Sequence, residues 1–115
     1  MINEGLRRVR DLVNTDLTNA QAGTDNTSPQ QTDSGLLSPV TSTNNTTSNQ
    51  VSNDPATLTV THTILTTEGN GYDLSEWELR INGDSESFNR TVTAAIPKVN
   101  TQEITRIVTV EVTQN

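Results

Sequence analysis

The sequence predicts a mainly β fold: an antiparallel β-sandwich or jelly-roll-like domain, preceded by an N-terminal α-helix and an extended Thr/Asn/Ser-rich arm. Three observations predict it. The 115 residues include 21 Thr, 13 Asn and 9 Ser, a mixture suited to pleated surfaces and turns. Four segments after residue 56 carry apolar residues at a period of two, with turn residues between them. The apolar residues of the first twenty positions follow a helical spacing instead. The implied organisation is a helix over 1–20, an arm over 21–56 and an antiparallel β-domain over 57–115.

The helix rests on Ile2, Leu6, Val9, Val13 and Leu17, spaced by four, three, four and four residues, which makes one aliphatic stripe. Glu4 precedes Arg8 by one turn, as Arg7 precedes Asp11. A lone helix of this length is marginal in water. Its stripe must therefore dock, and the residues leave two docks open: its own domain or a neighbouring subunit. Leu6, Val9, Val13 and Leu17 are candidate assembly residues under the second. The basic run Arg7, Arg8, Arg10 is interleaved with acids and reads as solvated or partner-facing rather than membrane-bound.

Residues 20–56 are of low complexity, punctuated by Pro29, Gly35, Pro39 and Pro55. Stretched out, roughly 36 residues reach on the order of 120 Å. So long a structureless loop is foreign to a compact domain. Either it is an arm lying along other subunits, or it holds short edge strands at 37–43 and 46–52.

In the β-domain, residues 57–67 alternate: Leu58, Val60, His62 and Ile64 face one way, and four threonines the other. After a Glu68–Gly71 turn, residues 72–81 place Trp77, Leu79 and Ile81 inward, with Glu76, Glu78 and Arg80 outward. Asn82-Gly83-Asp84 is a second hairpin turn. Residues 86–96 place Phe88, Val92, Ala94 and Ile96 on one face, with Arg90 among them; Pro97 ends the strand. Residues 102–113 turn Ile104, Val108, Val110 and Val112 inward around Arg106. The expected core is Leu58, Val60, Ile64, Trp77, Leu79, Ile81, Phe88, Val92, Ile96, Val108 and Val110. Leu65 and Ile107 fall on the wrong faces and mark a candidate interface.

Composition excludes several function classes. Fourteen acids against seven bases give a net charge of −7, the wrong sign for phosphate binding, so nucleic acid is not an expected partner. Without cysteine there is no disulfide framework or thiol nucleophile. No targeting segment or apolar run of membrane-spanning length is visible. The single histidine, His62, faces inward and cannot form the usual zinc site alone. Glu76 and Glu78 are spaced i, i+2 on an outer face and read as solvated carboxylates. Asp73, Asp84 and Glu86 lie at turns without the EF-hand ligand spacing. No nucleotide-binding, nucleophile-elbow or zinc-protease motif occurs. The expectation is a non-enzyme without cofactor or metal. Sequons at Asn26, Asn44, Asn45 and Asn89 are what chance gives in so Asn- and Thr-rich a chain. Six Arg to one Lys in an acidic chain suits a halophilic setting.

The N-terminal third also carries a resemblance. INEGLRRVRDLVN, then Gly23-Thr24 through Thr27-Ser28-Pro29, then Thr32-Asp33-Ser34-Gly35-Leu36, resembles small structural proteins of tailed viruses. These run from a helix through a Gly-Thr-rich segment and an Asp-x-x-Leu turn into a β-domain. Asn70-Gly71-Tyr72 and Glu76-Trp77-Glu78-Leu79 resemble a strand of that family, with Glu78 where it usually has glycine. The resemblance spans residues 2–37 and 70–80. It implies a virion component, of the capsid turret or decoration type or the tail, baseplate or fibre type, from a haloarchaeal tailed virus. Homo-oligomerisation and docking on other capsid or tail proteins go with it. Too thin a core to stand alone is the physical counterpart, because copies that share apolar stripes complete each other. Two other classes compete. An adhesion module for a host-surface glycan or receptor would place Tyr72, Trp77 or Asp73 near an exposed loop end, with the aromatic exposed. A small regulatory or inhibitory protein would be missing from particles.

Overall fold

The computed structural model describes residues 3–41, 45–81 and 86–113. Among these residues one helix, α1 (Asn3–Asp16), precedes six strands: β1 (Asn19–Gly23), β2 (Asn45–Ser52), β3 (Thr57–Ile64), β4 (Asp73–Ile81), β5 (Glu86–Pro97) and β6 (Ile104–Glu111). Ile2, the Asn82-Gly83-Asp84 turn, the Asn44 sequon and the end of the 37–43 candidate strand lie outside the described residues. Among the described residues, no helix is long and apolar enough to cross a membrane.

All pairings are antiparallel, in the order β5-β4-β1-β2-β3-β6. The β1–β2 junction has two residue pairs, Asn19–Thr46 and Ala20–Asn45. So short a seam lets the sheet fold on itself as two three-stranded halves, β5-β4-β1 and β2-β3-β6. The halves face each other as a β-sandwich. Leu79 of β4 and Ala20 of β1 meet Leu58 and Val60 of β3, with Ile81, Val108 and Val110 packed around them. Further along, Ala22, Leu74 and Trp77 meet Ile64, with Val40 and Ile104 beside them. The predicted alternation of β3 is realised, its even positions buried.

The helix docks on its own domain. Leu17, one residue past α1, is fully buried in the first cluster, and Val13 packs against it. Arg10, 4% exposed, donates to the carbonyl of Ser52 and to Asn53 Oδ1, tying α1 to the β2–β3 turn. Leu6 is half-buried and Val9 is exposed. The assembly reading of Val13 and Leu17 is thereby corrected: their apolar surface completes the sandwich of their own chain.

β1 is the element that the sequence reading lacks. All five of its residues, Asn-Ala-Gln-Ala-Gly, are buried, because it lies between β4 and β2 and is covered on both faces. Residues 24–41, read as an arm along other subunits or as holding a short edge strand, fold back as a strap over the outer face of β4, and the described part of the 37–43 candidate is a single bridge rather than a strand. Pro39 bridges Gly23 there. The second candidate strand, 46–52, is β2.

β5 departs from the expected face assignment. Its register sets Val92 against Glu76 and Arg90 against Glu78, with Thr91 against Trp77 and Asn89 against Leu79. Paired residues share a face, so Arg90 and Val92 point to the strap, and Thr91 and Asn89 to the interior. Phe88 is the extra residue of a bulge between Asn89 and Ser87, and it is exposed. A second irregularity sets Thr93, Ala94 and Ala95 against Ser75 alone, leaving Ile96 exposed at the rim. Phe88 and Ile96 are therefore not core residues, and Val92 is half-buried on the strap side.

Candidate functional site

The outer face of β4 holds a buried charge cluster. Glu76, fully buried, accepts hydrogen bonds from the backbone N–H groups of Leu37 (2.9 Å), Ser38 (2.7 Å) and Asp25 (3.1 Å), and from Arg90 Nε (2.9 Å). Glu78 accepts from the Leu36 N–H at 3.1 Å and from Arg80. The Arg90 guanidinium also reaches Thr27 O (2.9 Å), Asp33 (3.2 Å) and Asp25 (3.3 Å). Burial pushes the Glu76 carboxyl upward. Arg90 and the three backbone donors outweigh it and hold it below the usual carboxylate range. The pair of glutamates expected in solvent thus serves as the acceptor set for a loop with few apolar anchors. Two glycines allow the close approach. A Cβ on Gly23 would collide with the Ser38 carbonyl and the Glu76 carboxylate, and one on Gly35 would lie 2.7 Å from Glu78 Oε2.

His62 points inward and is 3% exposed. Burial, with Arg106 adding to it and Glu68 opposing, pulls its pKa from 6.5 to about 4. Between those values an unfolded chain binds a proton that the folded chain refuses. Stability is therefore expected to fall as pH drops from 6.5 to 4, by about 3 kcal/mol. Urea midpoints between pH 7 and 4 measure it. His62→Leu should flatten that limb, and an unchanged slope in the variant would assign it to other groups.

The second feature is a groove of about 370 Å³ between the two outermost strands, where the sandwich stays open. Trp77, Ala94, Ala95, Ile96 and Ile104 line it, with Thr93, Thr105 and Arg106. Trp77 is 2% exposed, and its Nε1 donates to Thr93 Oγ1 at 2.8 Å. Arg106 projects from β6 over the indole, 5.8 Å from its centroid. β5 and β6 are the ends of the strand order, and among the described residues no ladder joins them.

The predicted site residues thus separate. Leu58, Val60, Ile64, Trp77 and Leu79 are buried core; Ile81, Val108 and Val110 pack half-buried on it. Leu65 and Ile107 are exposed, Ile107 most of all at 64%. With Trp77 buried, it cannot serve as the open platform a sugar ring stacks on. Asp73 is exposed at the start of β4, near exposed Tyr72. Among the described residues, no group of three or more His, Asp or Glu could hold a metal ion. Sequence reasoning missed the roles of Arg90 and of Lys98. The sole lysine is 1% exposed and donates to Asn70 Oδ1 (2.8 Å) and the Val99 carbonyl (3.0 Å). Arg90 did leave a signal, as a lone charge in an otherwise apolar strand period; Lys98 left none.

Compared with family models, curated proteins and solved structures, the chain matches none.

Proposed function

We propose that the chain is a non-enzymatic structural subunit that assembles through the open side of its sandwich, in the setting its resemblance implies. That setting is the virion of a tailed virus, as a capsid turret or decoration or a tail, baseplate or fibre component. The observation that carries the assembly half is the pair of outermost strands, β5 and β6, whose outer edges pair with nothing among the described residues and which flank an apolar groove. Unpaired strand edges are templates for a further strand. β6 has eight paired residues against β3 without a bulge and, along its outer face, carries exposed Ile107 among threonines. Val13 and Leu17 drop out of this reading, since they close the chain's own core.

Light scattering coupled to size exclusion, at high salt and high protein concentration, tests the assembly. The expected result is a defined oligomer that Ile107→Lys reduces to monomer. A well-folded monomer at every concentration overturns it. Mass spectrometry of purified particles tests the virion setting, and absence of the chain from them would favour a regulatory protein.

A further inference from the structure

We propose that the groove between β5 and β6 receives an extended peptide segment of a partner protein. The segment carries a single carboxylate that pairs with Arg106 and, two residues along on the same strand face, an apolar side chain that lies against Ile96 and Ile104. The proposal rests on the open groove behind the assembly reading and names the chemistry of what fills it.

Arg106 carries the argument. It is half-buried, lies over the Trp77 ring and stands opposite His62 of β3, and no described carboxylate pairs with it. The other two described arginines on strands, Arg80 and Arg90, each have a carboxylate partner. A planar guanidinium presents a fork of donors matched to a carboxylate, and it is the one charged group lining this groove. A lone guanidinium suits one negative charge better than the two of a phosphate. The net charge of −7 disfavours a polyacidic ligand, so the carboxylate must sit among neutral residues.

The walls specify an extended chain. β6 offers eight residues of regular unpaired edge, to which a partner strand can add its backbone hydrogen bonds. On the other side Thr93–Ala95 stand against Ser75 alone, an irregularity that leaves β6 the more regular template. A strand laid along β6 alternates its side chains, one set entering the groove over Trp77, Ile96 and Ile104.

The probe is a capped synthetic hexapeptide, acetyl-Val-Thr-Glu-Thr-Val-Thr-amide, whose two Val and one Glu side chains share a strand face, and its Glu-to-Gln twin. Trp77 is the only tryptophan, so its emission reports the groove directly. The expected result is a saturable emission change with the Glu peptide and at least tenfold weaker binding by the Gln peptide. Arg106→Gln, checked for folding by circular dichroism, should show the same loss. Amide exchange should slow along β6 on binding. Equal binding of the two peptides overturns the proposal, as does no saturable change. So does N-acetylglutamate amide binding as tightly as the hexapeptide, because the extended backbone would then contribute nothing. A monomeric chain that binds the Glu peptide sinks self-assembly and sustains this proposal; an oligomer with no affinity for it does the reverse.

Discussion

Arg90→Met is expected to lower the free energy of unfolding by about 3–5 kcal/mol, the usual cost of removing one partner from a buried pair. Against a typical total of about 5–15 kcal/mol, that is a large fraction. Arg90 is 9% exposed and joins β5 to Glu76, Asp25, Asp33 and the Thr27 carbonyl. Without it, Glu76 keeps its burial but loses its cation. Glu76→Met added to the variant should not rescue it. Three strap N–H groups would then lack their acceptor, and each buried orphan costs about 1–3 kcal/mol. Urea denaturation gives the global effect. Hydrogen exchange at Asp25, Leu37 and Ser38 gives the local one, and these amides should lose protection first. Full protection there in Arg90→Met would show that the strap is held by something other than this cluster. The pH response has a fixed sign. Glu76 is lowered from its ordinary 4.5, so its contribution is present above that value and lost as pH falls through the lower folded value. Glu76→Gln should remove this acid limb and leave the His62 limb, between 6.5 and 4, in place.

Leu17→Ala is expected to cost about 2–5 kcal/mol, the range for emptying a buried leucine site. Leu17 touches the cluster that joins both halves of the sandwich, Ala20, Leu58, Val60 and Leu79. Its carbonyl also accepts from Asn49 Nδ2 at 2.7 Å and Thr47 Oγ1 at 3.2 Å. Collapse around the void is limited, because β1 follows directly and is buried on both faces. The urea midpoint at low protein concentration measures the loss. An unchanged midpoint with a changed oligomeric state would return Leu17 to the interface role first read from the helical stripe.

The legible parts of the fold were those where one face is wet and the other dry. β3 shows it best: Thr and apolar residues alternate, and the burial alternates with them. Trp77 and Leu79 were placed inward by the same period, and α1 by the spacing of its aliphatic residues. β1 was not legible, because it is five residues long and its core positions are only alanines, Ala20 and Ala22, while polar Asn19 and Gln21 are buried as well, so its alternation carries little apolar signal. The inward face of β5 was misread for a related reason. A bulge at Phe88 and a shift at 93–95 change which parity faces in, and a one-residue slip exchanges the faces.

The candidate sites divide in the same way. Taken by itself, the sequence settled the mainly β class, the strands of the second half and the amphipathic helix, because these follow from local periodicity. It also isolated Arg90 and Arg106 as charges in apolar periods. Only the tertiary structure decided their fates. A strap distant in sequence covers Glu76, Glu78 and Arg90 and turns a wet face into a buried one, while the same sandwich leaves Arg106 and Trp77 at an unclosed seam. Burial depends on which segments meet, and that is set by long-range packing that no local pattern carries.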